Sequence, residues 1–402
     1  MKKNLLIGLA ALAAVTITSC QKDQVINQVP QEQAIEFGTY LGRDAMTKGE
    51  ITDNKNLPTK KFGVFAYYTG TTNFTTTNKP NFMYNQEVAG NRDASKVTWS
   101  YSPVKYWPNK ADEKISFFAY SPYTLANPTP SNNITSHSAN NAQGTPTLNF
   151  KVSTTVTEQT DLLWATPLLN KTKAENNIDS LKFTFNHALS RIGFKVVALA
   201  DVVNEDNDGT NDDHTHTSSL GTETTIIVDS VKLSGDFNTE GVLKYTYDDP
   251  SSNYKAAIEA TDATESTSFI LNNNLTSTSD TEYGNFTNIA DKVTETATQL
   301  NNENSYLMII PQDFTNTDKL TLEVVYYVVT SDSKLEGGSF SYKNTITTQP
   351  FNMAVAFEAG KAYNLVLHIG LTSVKLAVES INGWTDASPL DYSVNIPVNV
   401  AP

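Results

Sequence analysis

The pattern closest to a metal site lies in the acidic stretch that runs from Asn204 to Gly209. Oxygen-bearing side chains fall on alternate positions there and glycine is sixth, as at the start of an EF-hand calcium loop. The twelfth position of such a loop is a bidentate glutamate, but here it is Thr215. His214 and His216 lie nearby without a cysteine or a third histidine to complete a metal site. We interpret the stretch as a solvated acidic loop and expect neither a metal nor another cofactor.

A second candidate for chemistry is His187, which follows a short apolar run. A general base needs a nucleophile and an orienting partner within hydrogen-bond reach, and no motif in the sequence supplies them. The Gly-x-Ser-x-Gly, P-loop and His-Glu-x-x-His signatures are absent from the sequence. The sequence therefore predicts a hydrogen-bonded structural histidine, no catalytic residue and a protein that is not an enzyme.

The single cysteine, Cys20, follows a segment that is typical of an export signal. Two lysines precede an apolar run over residues 5–15, which is too short to span a membrane as a mature helix. Residues 17–20 read Ile-Thr-Ser-Cys and resemble the bacterial lipobox, in which the cysteine becomes lipidated. With one cysteine, no disulfide can form within the chain. We expect an exported lipoprotein that is anchored through Cys20.

Both ends of the exported chain carry a strand with one apolar face. Near the start, residues 34–41 alternate, and one face carries Ile35, Phe37 and Leu41. At the end, residues 390–400 follow a strict period of two, and Pro397 favours an edge or one-sided pairing. The apolar face of this C-terminal strand consists of Leu390, Tyr392, Val394, Ile396, Val398 and Val400.

Basic residues follow the first strand at once. Arg43 lies two residues after Leu41, and Lys48 follows in a polar stretch. Trypsin-like proteases cut most readily at such exposed, polar sites. We predict cleavage after Arg43 or Lys48.

Composition and patterning predict an all-β protein. The 402 residues carry a formal net charge of -14, so nucleic acid is not an expected partner. Long helical patterns are scarce, and turn-rich spacers separate short apolar runs, which favours sandwiches or barrels. The runs cover residues 61–68, 114–120, 181–185, 192–199, 224–233, 306–310, 320–329, 362–369 and 374–378.

The length favours two domains over one. A composition shift places their junction near Asn186. The predicted organisation is a signal peptide (1–20), an N-terminal propeptide with the first strand (21–43), an N-terminal β-sandwich (44–186), a C-terminal β-sandwich (187–389) and a C-terminal strand (390–402).

An aromatic cluster over residues 99–108 has two interpretations. Trp99 and Tyr101 share a face and could form a platform on which sugars stack. Aromatic side chains also bury large areas in β domains that lack disulfides, and this packing role is the interpretation that we favour.

Several motifs, in order along the chain, resemble the fimbrillin family of Bacteroidetes, the subunits of type V pili. The motifs are Phe62-Gly63-Val64-Phe65-Ala66-Tyr67, Met83-Tyr84-Asn85, Trp99-Ser100-Tyr101, Tyr106-Trp107-Pro108, residues 115–123, Asp161-Leu162-Leu163-Trp164-Ala165, residues 185–192, Lys361-Ala362-Tyr363-Asn364-Leu365 and Gly383-Trp384.

The resemblance implies two tandem transthyretin-like β-sandwiches with Greek-key-type connections, in a precursor held at the outer membrane by its lipid. It implies that a trypsin-like or arginine-specific protease removes the first strand, with Ile35, Phe37 and Leu41, by a cut for which Arg43 is the best match and Lys48 the second candidate. The C-terminal strand of a neighbouring copy then enters the groove, so the partners are further copies and other pilus subunits. We expect a shaft subunit of a surface pilus that supports adhesion or biofilm formation.

Two alternatives stay open. One is a tip or accessory pilin, which shares the fold but differs in its place in the filament. The other is a surface glycan-binding lipoprotein, which needs neither a removable first strand nor an amphipathic last one.

Overall fold

The structure is a computed structural model that describes residues 32–41, 56–93, 96–125, 133–173, 181–198, 224–248, 253–261, 265–272, 298–300, 306–316, 319–335, 338–348, 350–353, 356–371, 374–381 and 392–394. One α-helix, α1 (Leu57–Lys60), and one 3₁₀ turn, Val156–Glu158, are described; the remaining regular elements are strands. No helix in the described ranges is long and apolar enough to cross a membrane.

The described residues contain twenty-two strands. In chain order they are β1 (Phe37–Leu41), β2 (Phe62–Gly70), β3 (Met83–Asp93), β4 (Lys96–Ser100), β5 (Lys114–Ser121), β6 (Ile134–His137), β7 (Leu148–Lys151), β8 (Leu163–Ala165), β9 (Leu168–Thr172), β10 (Leu181–His187), β11 (Ser190–Ala198), β12 (Thr224–Phe237), β13 (Glu240–Asp248), β14 (Asn253–Ala260), β15 (Glu265–Asn272), β16 (Thr298–Gln299), β17 (Leu307–Ile309), β18 (Thr321–Ser331), β19 (Ser339–Thr347), β20 (Ala362–Ile369), β21 (Val374–Ile381) and β22 (Tyr392–Val394).

These strands form four sheets. The largest has eight strands in the order β1-β10-β8-β5-β2-β3-β4, with β9 also paired to β5. A six-stranded sheet has the order β16-β11-β20-β21-β22, with β17 paired to β11. Two four-stranded sheets have the orders β15-β12-β18-β19 and β14-β13-β7-β6. The structure thus confirms the predicted all-β class, and each of the nine predicted apolar runs contains or overlaps a strand.

Burial explains why these segments are strands. In β10, Leu181, Phe183 and Phe185 are buried while Lys182 and Thr184 are exposed, which is the period of two of a half-buried strand. By contrast, β5 is buried at nearly every position, as expected for a strand in the middle of a sheet that is covered on both faces.

The buried side chains within the described ranges form two clusters. The smaller cluster encloses β1 and includes Phe62, Phe117 and Phe183. The larger cluster extends from β2 through the C-terminal sheets to β21. The first strand therefore belongs to a small core of its own, next to the main one.

The hairpin β13–β14 packs on strands of the N-terminal half. Glu240 and the next three residues pair with β7, and the Glu240 carboxylate lies 2.6 Å from the Lys151 ammonium. The Tyr245 hydroxyl donates to the Ala119 carbonyl at 3.0 Å, and its ring contacts Trp164 edge to face. This hairpin follows the predicted junction at Asn186 in sequence, and the predicted domain limits, like the two transthyretin-like sandwiches, stay predictions.

Candidate functional site

Strand β1 lies at one edge of the eight-stranded sheet, next to β10. The two strands run parallel, with Phe37 opposite Leu181 and Leu41 opposite Phe185. The Leu181 N–H also donates to the Glu36 carbonyl at 2.8 Å, one residue before β1 begins. Because an edge strand has a neighbour in the sheet on one side, β1 can leave without dividing the sheet.

The residues just before β1 are held from the opposite side by Lys105 and Trp107. The Ile35 N–H donates to the Lys105 carbonyl at 2.9 Å, and the Trp107 N–H donates to the Gln33 carbonyl at 2.9 Å. The Tyr101 hydroxyl donates to the Ile35 carbonyl at 2.7 Å. The first strand thus occupies a groove with two rims, one formed by β10 and the other by Lys105 and Trp107.

Tyr101 contacts both the backbone and a side chain of the first strand. Besides its hydrogen bond to Ile35, its ring centroid lies 5.3 Å from that of Phe37. Burial raises the pKa of the Tyr101 hydroxyl, and a hydrogen bond with the backbone of Lys105 opposes this shift. The hydroxyl therefore stays protonated at neutral pH and can donate to Ile35.

Phe37 occupies an aromatic pocket at the centre of the groove. Its ring is stacked on Phe183 at 5.6 Å and meets Phe117 and Phe62 edge to face at 5.9 and 6.3 Å. Tyr101 closes the pocket, and Phe37 is 5% exposed. Aromatic pairs of this geometry contribute about 0.5–1.5 kcal/mol beyond the area that they bury. The pocket therefore recognises the shape of a ring, not just an apolar surface.

The rest of the strand follows the predicted alternation. Ile35 and Leu41 are buried, at 1% and 6% exposure, while Tyr40 on the other face is 51% exposed. Thr39, the polar residue on the buried face, is partly buried. Each fully buried apolar side chain contributes about 1.5–3 kcal/mol, so Ile35, Phe37 and Leu41 are strong anchors of this segment.

The aromatic cluster of residues 99–108 forms part of this groove. Trp99 meets Phe62 edge to face at 4.8 Å, and Trp107 meets Phe117 at 6.2 Å. The packing interpretation is confirmed for both tryptophans, since Trp107 is in the small core and Trp99 packs against it. In the same cluster, Tyr106 is 47% exposed.

Several predicted site residues lie outside the described residues. These are Cys20, Arg43, Lys48, Leu390, Ile396, Val398, Val400 and the acidic loop at 204–216. Their proposed roles stay predictions. Leu41 is the last described residue before both predicted cleavage positions.

At the C-terminus, β22 pairs antiparallel with β21, with Tyr392 opposite Val378 and Val394 opposite Leu376. The side chains of these two β22 residues are not among those described. The backbone of the predicted donor strand is therefore located over three residues, at the edge of the six-stranded sheet.

His187 is bonded to a carboxylate. Its Nδ1 lies 2.9 and 3.1 Å from the two carboxylate oxygens of Asp161, whose side chain is fully buried. The prediction that His187 is hydrogen-bonded is confirmed. Among the described residues, no group of His, Cys, Asp and Glu side chains is arranged to hold a metal ion.

The sequence did not indicate which residues line the groove. The alternation of residues 34–41 located the strand, but nothing in it indicated that Tyr101 and Lys105 would hold its start. The aromatic residues Phe62 and Phe183 were visible in predicted strands, and their shared partner Phe37 became apparent only from the order of strands in the sheet.

Comparisons with known proteins give one consistent picture. A family model described as fimbrillin-like matches residues 50–271, more than half of the chain. Fimbrium subunit Fim1C from Phocaeicola vulgatus is 28% identical over 401 residues, which covers 96% of this chain and 98% of that protein. The crystal structure of a fimbrial protein from Bacteroides vulgatus aligns with a TM-score of 0.62 at 25% identity, covering 88% of this chain and 100% of that one.

Proposed function

Because the chain belongs to the fimbrillin-like family, we propose that it is a shaft subunit of a type V pilus with a structural, non-enzymatic role. The observation that carries the proposal is the burial of Ile35, Phe37 and Leu41 in a strand at a sheet edge. A strand in that position can be removed as a unit, and its removal uncovers a ready-made groove.

The first step is export and cleavage. The precursor is lipidated at Cys20 and held at the outer membrane, where a trypsin-like or arginine-specific protease cuts after Arg43. The alternative cut is after Lys48. Either cut separates the lipid and β1 from the remainder of the chain, so the subunit is released for assembly at the cell surface.

The second step is exposure of the groove. Loss of β1 uncovers the apolar floor, which includes Phe62, Phe117 and Phe183, and the backbone groups of both rims. Exposed apolar area and unpaired strand edges both favour association with another chain. The opened subunit therefore acquires a strong preference for a replacement strand.

The third step is donation of the C-terminal strand of a neighbouring copy. Its even-numbered residues enter the groove: Leu390, Tyr392, Val394, Ile396, Val398 and Val400. Each contributes about 1.5–3 kcal/mol if fully buried, and ordering of the strand subtracts from that sum. Dissociation of so large an apolar strand is slow, so the filament is kinetically stable.

The regular C-terminal strand favours a shaft position over a tip position. A shaft subunit must both donate and accept a strand, and this chain carries a donor pattern and an acceptor groove. The resulting filament is a homopolymer that joins other pilus subunits and supports adhesion or biofilm formation.

The test is native trypsin treatment of the purified precursor. We expect one early cut after Arg43 or Lys48, a folded remainder and a ladder of oligomers on a gel run without boiling. Arg43→Gln combined with Lys48→Gln is the control and should give no ladder. First cuts deep within residues 56–381, with residues 34–48 resistant, would contradict the proposal.

A matched series tests the donor strand. Val394→Asp and Ile396→Asp should block assembly, because each buries an unpaired charge in the groove. Ser393→Asp and Asn399→Asp add the same charge on the opposite face and should assemble like the parent protein. Equal ladders in all four variants would show that the strand is not inserted.

A further inference from the structure

We propose a register for the donor strand: residues 390–396 of a second copy take the places of residues 35–41, in the same direction, so that Tyr392 fills the pocket of Phe37. This inference rests on the strand exchange proposed above. It adds which residue enters which pocket and which way the strand runs.

The two terminal strands share a three-residue pattern. The first strand contains Ile35-Glu36-Phe37 and the donor contains Leu390-Asp391-Tyr392, each an aliphatic, an acidic and an aromatic residue in that order. Superposing the triplets also sets Ile396 in the place of Leu41, which is buried. Running the donor in the opposite direction would reverse the order of aliphatic and aromatic residues relative to their pockets.

The surroundings of Phe37 and Ile35 differ, so the order of the aliphatic and aromatic residues decides how well the donor fits. Phe37 is surrounded by four rings, whereas Ile35 is held by one backbone hydrogen bond and by the Tyr101 hydroxyl. Tyr392 is the only aromatic residue of the donor face. The pocket and the donor therefore each offer one aromatic position, and the proposed register brings them together.

The prolines of the donor agree with the same register. Pro389 takes the place of Ala34, which forms a bridge with Tyr106. The two hydrogen bonds beside this bridge use the Ile35 N–H and the Gln33 carbonyl, and neither uses the N–H of Ala34. A proline, which has no N–H, can therefore stand there without removing either bond.

The second proline limits how far the donor strand can shift along the groove. In the proposed register Pro397 takes the place of Gly42, one residue after β1 ends. A register two residues deeper would move Pro397 to the position of Tyr40. In a parallel ladder, every second residue of a strand bonds to the same neighbouring strand. The Glu36 carbonyl accepts from the Leu181 N–H of β10. The N–H at position 40, four residues later, therefore also faces β10. Proline there would remove a ladder bond.

The opposite shift fails for a different reason. A register two residues shallower would bring Leu390 to the pocket of Phe37 and Ser388 to the buried position of Ile35. Burying a hydroxyl that has no partner costs free energy, and the aromatic pocket would be filled by a smaller side chain. Of these three registers, the proposed one alone keeps proline outside the residues of β1 and serine out of the core.

Cysteine pairs across the rim test the register directly. Tyr40 lies opposite Thr184 of β10, and Asn395 takes the place of Tyr40 in the proposed register. Thr184→Cys is combined in separate variants with Ser393→Cys, Asn395→Cys or Pro397→Cys, all with Cys20→Ser. Adjacent strands lie about 4.8 Å apart, within disulfide reach, whereas a two-residue offset gives about 8 Å, which is beyond it.

After trypsin treatment and mild oxidation, we expect the Asn395→Cys variant to form intermolecular disulfides at least about tenfold faster than the other two. A second matched pair, Lys182→Cys with Ser393→Cys, should crosslink equally well, since Lys182 lies opposite Gly38. The readout is a boiled, non-reducing gel, and the melting temperature of each precursor shows that the variants fold.

The outcomes separate this inference from the function on which it rests. Ladders on the gel run without boiling, with a dominant disulfide at Ser393→Cys or Pro397→Cys, would overturn the register and leave strand exchange standing. Ladders without a disulfide in any variant would overturn the direction. The absence of ladders in the parent protein would overturn both.

A side-chain test of the pocket complements the crosslinks. Tyr392→Phe should assemble at least as fast as the parent protein, because the pocket holds a phenylalanine ring in the precursor. Tyr392→Ala should assemble at least about tenfold more slowly, since a ring is lost from an aromatic pocket. If Val394→Ala slows assembly more than Tyr392→Ala, the aromatic residue does not enter this pocket and the register is wrong.

Discussion

The strands at the two ends of the chain have similar sequence patterns but different surroundings. Strand β1 is enclosed, with Phe37 among four aromatic rings and hydrogen bonds on both sides. Strand β22 is paired over three residues with β21, at the end of a sheet. An alternating pattern shows which side chains share a face of the strand. What that face covers depends on the order of the strands in the sheet.

This difference suggests a division of roles. The enclosed segment is the one that the protease is proposed to remove, whereas the segment whose described part pairs with β21 over three residues is the one proposed to be donated. The comparison can be tested by changing each strand in turn, and we rank the tests by their expected effect on the stability of the precursor.

The largest effect is expected from Phe37→Ala. Loss of a buried phenylalanine ring should lower the free energy of unfolding of the precursor by about 3–5 kcal/mol. Tyr40→Ala, on the exposed face of the same strand, should change it by less than about 0.5 kcal/mol. Urea denaturation of both variants measures the difference, and similar losses would show that β1 is not anchored by its inner face.

A smaller effect is expected from Tyr101→Phe. This change removes the hydroxyl that donates to the Ile35 carbonyl at 2.7 Å but keeps the ring beside Phe37. A single hydrogen bond contributes about 0.5–1.5 kcal/mol, so the precursor should lose that amount. The control is Tyr106→Phe, which alters a half-exposed tyrosine and should have no measurable effect. After cleavage, the difference between the two variants should shrink, because the bond to Ile35 is gone while the contact of Tyr101 with the Lys105 backbone remains.

A still smaller effect on the precursor is expected from deletion of residues 390–402. Deletion removes the three-residue pairing of β22 with β21, and the ordering entropy of those residues offsets most of what the pairing contributes. The melting temperature of the precursor should fall by no more than a few degrees, roughly the effect of less than 1 kcal/mol. Assembly after trypsin treatment should be lost. A precursor that unfolds without the deleted residues would show that the strand belongs to its own fold.

The sequence predicted the class of fold and the first strand, for physical reasons. Alternation and buried runs are local, so β10, β18 and β20 were visible without knowledge of their neighbours. The inward face of residues 34–41 was visible for the same reason, and the burial of Phe37 confirmed it.

What the sequence did not predict depends on contacts between distant segments. The hairpin β13–β14 is rich in polar residues, and its pairing with β7 joins positions about ninety residues apart. Likewise, the hydrogen bond from Tyr101 to Ile35 joins residues 66 apart, and no local pattern marks it. Strand β3 has mixed faces and lacks the apolar alternation that reveals other strands.

The smallest expected effect is a pH dependence that arises away from both terminal strands. His137, the last residue of β6, is partly buried, and burial lowers its pKa below the usual 6.5 despite an opposing hydrogen bond with the Ser138 backbone. The Asn85 amide lies 2.9 Å from its Nε2 and also donates to the Thr124 carbonyl, so Nε2 is the acceptor of this contact.

Because the folded protein holds a proton on His137 less tightly than the unfolded chain does, stability is full above pH 6.5 and falls as the pH drops below it. His137→Gln keeps an acceptor but cannot titrate, so its melting temperature should decline less between pH 7 and pH 5 than that of the parent precursor. The Phe37→Ala variant should keep the full pH dependence of the parent. The Phe37 ring that it removes belongs to the smaller core cluster, which does not include His137. If the parent and His137→Gln have the same pH profile, the acid sensitivity arises elsewhere. If Phe37→Ala abolishes the dependence, the groove and β6 are coupled, and the first strand is not the separate unit that its small core indicates.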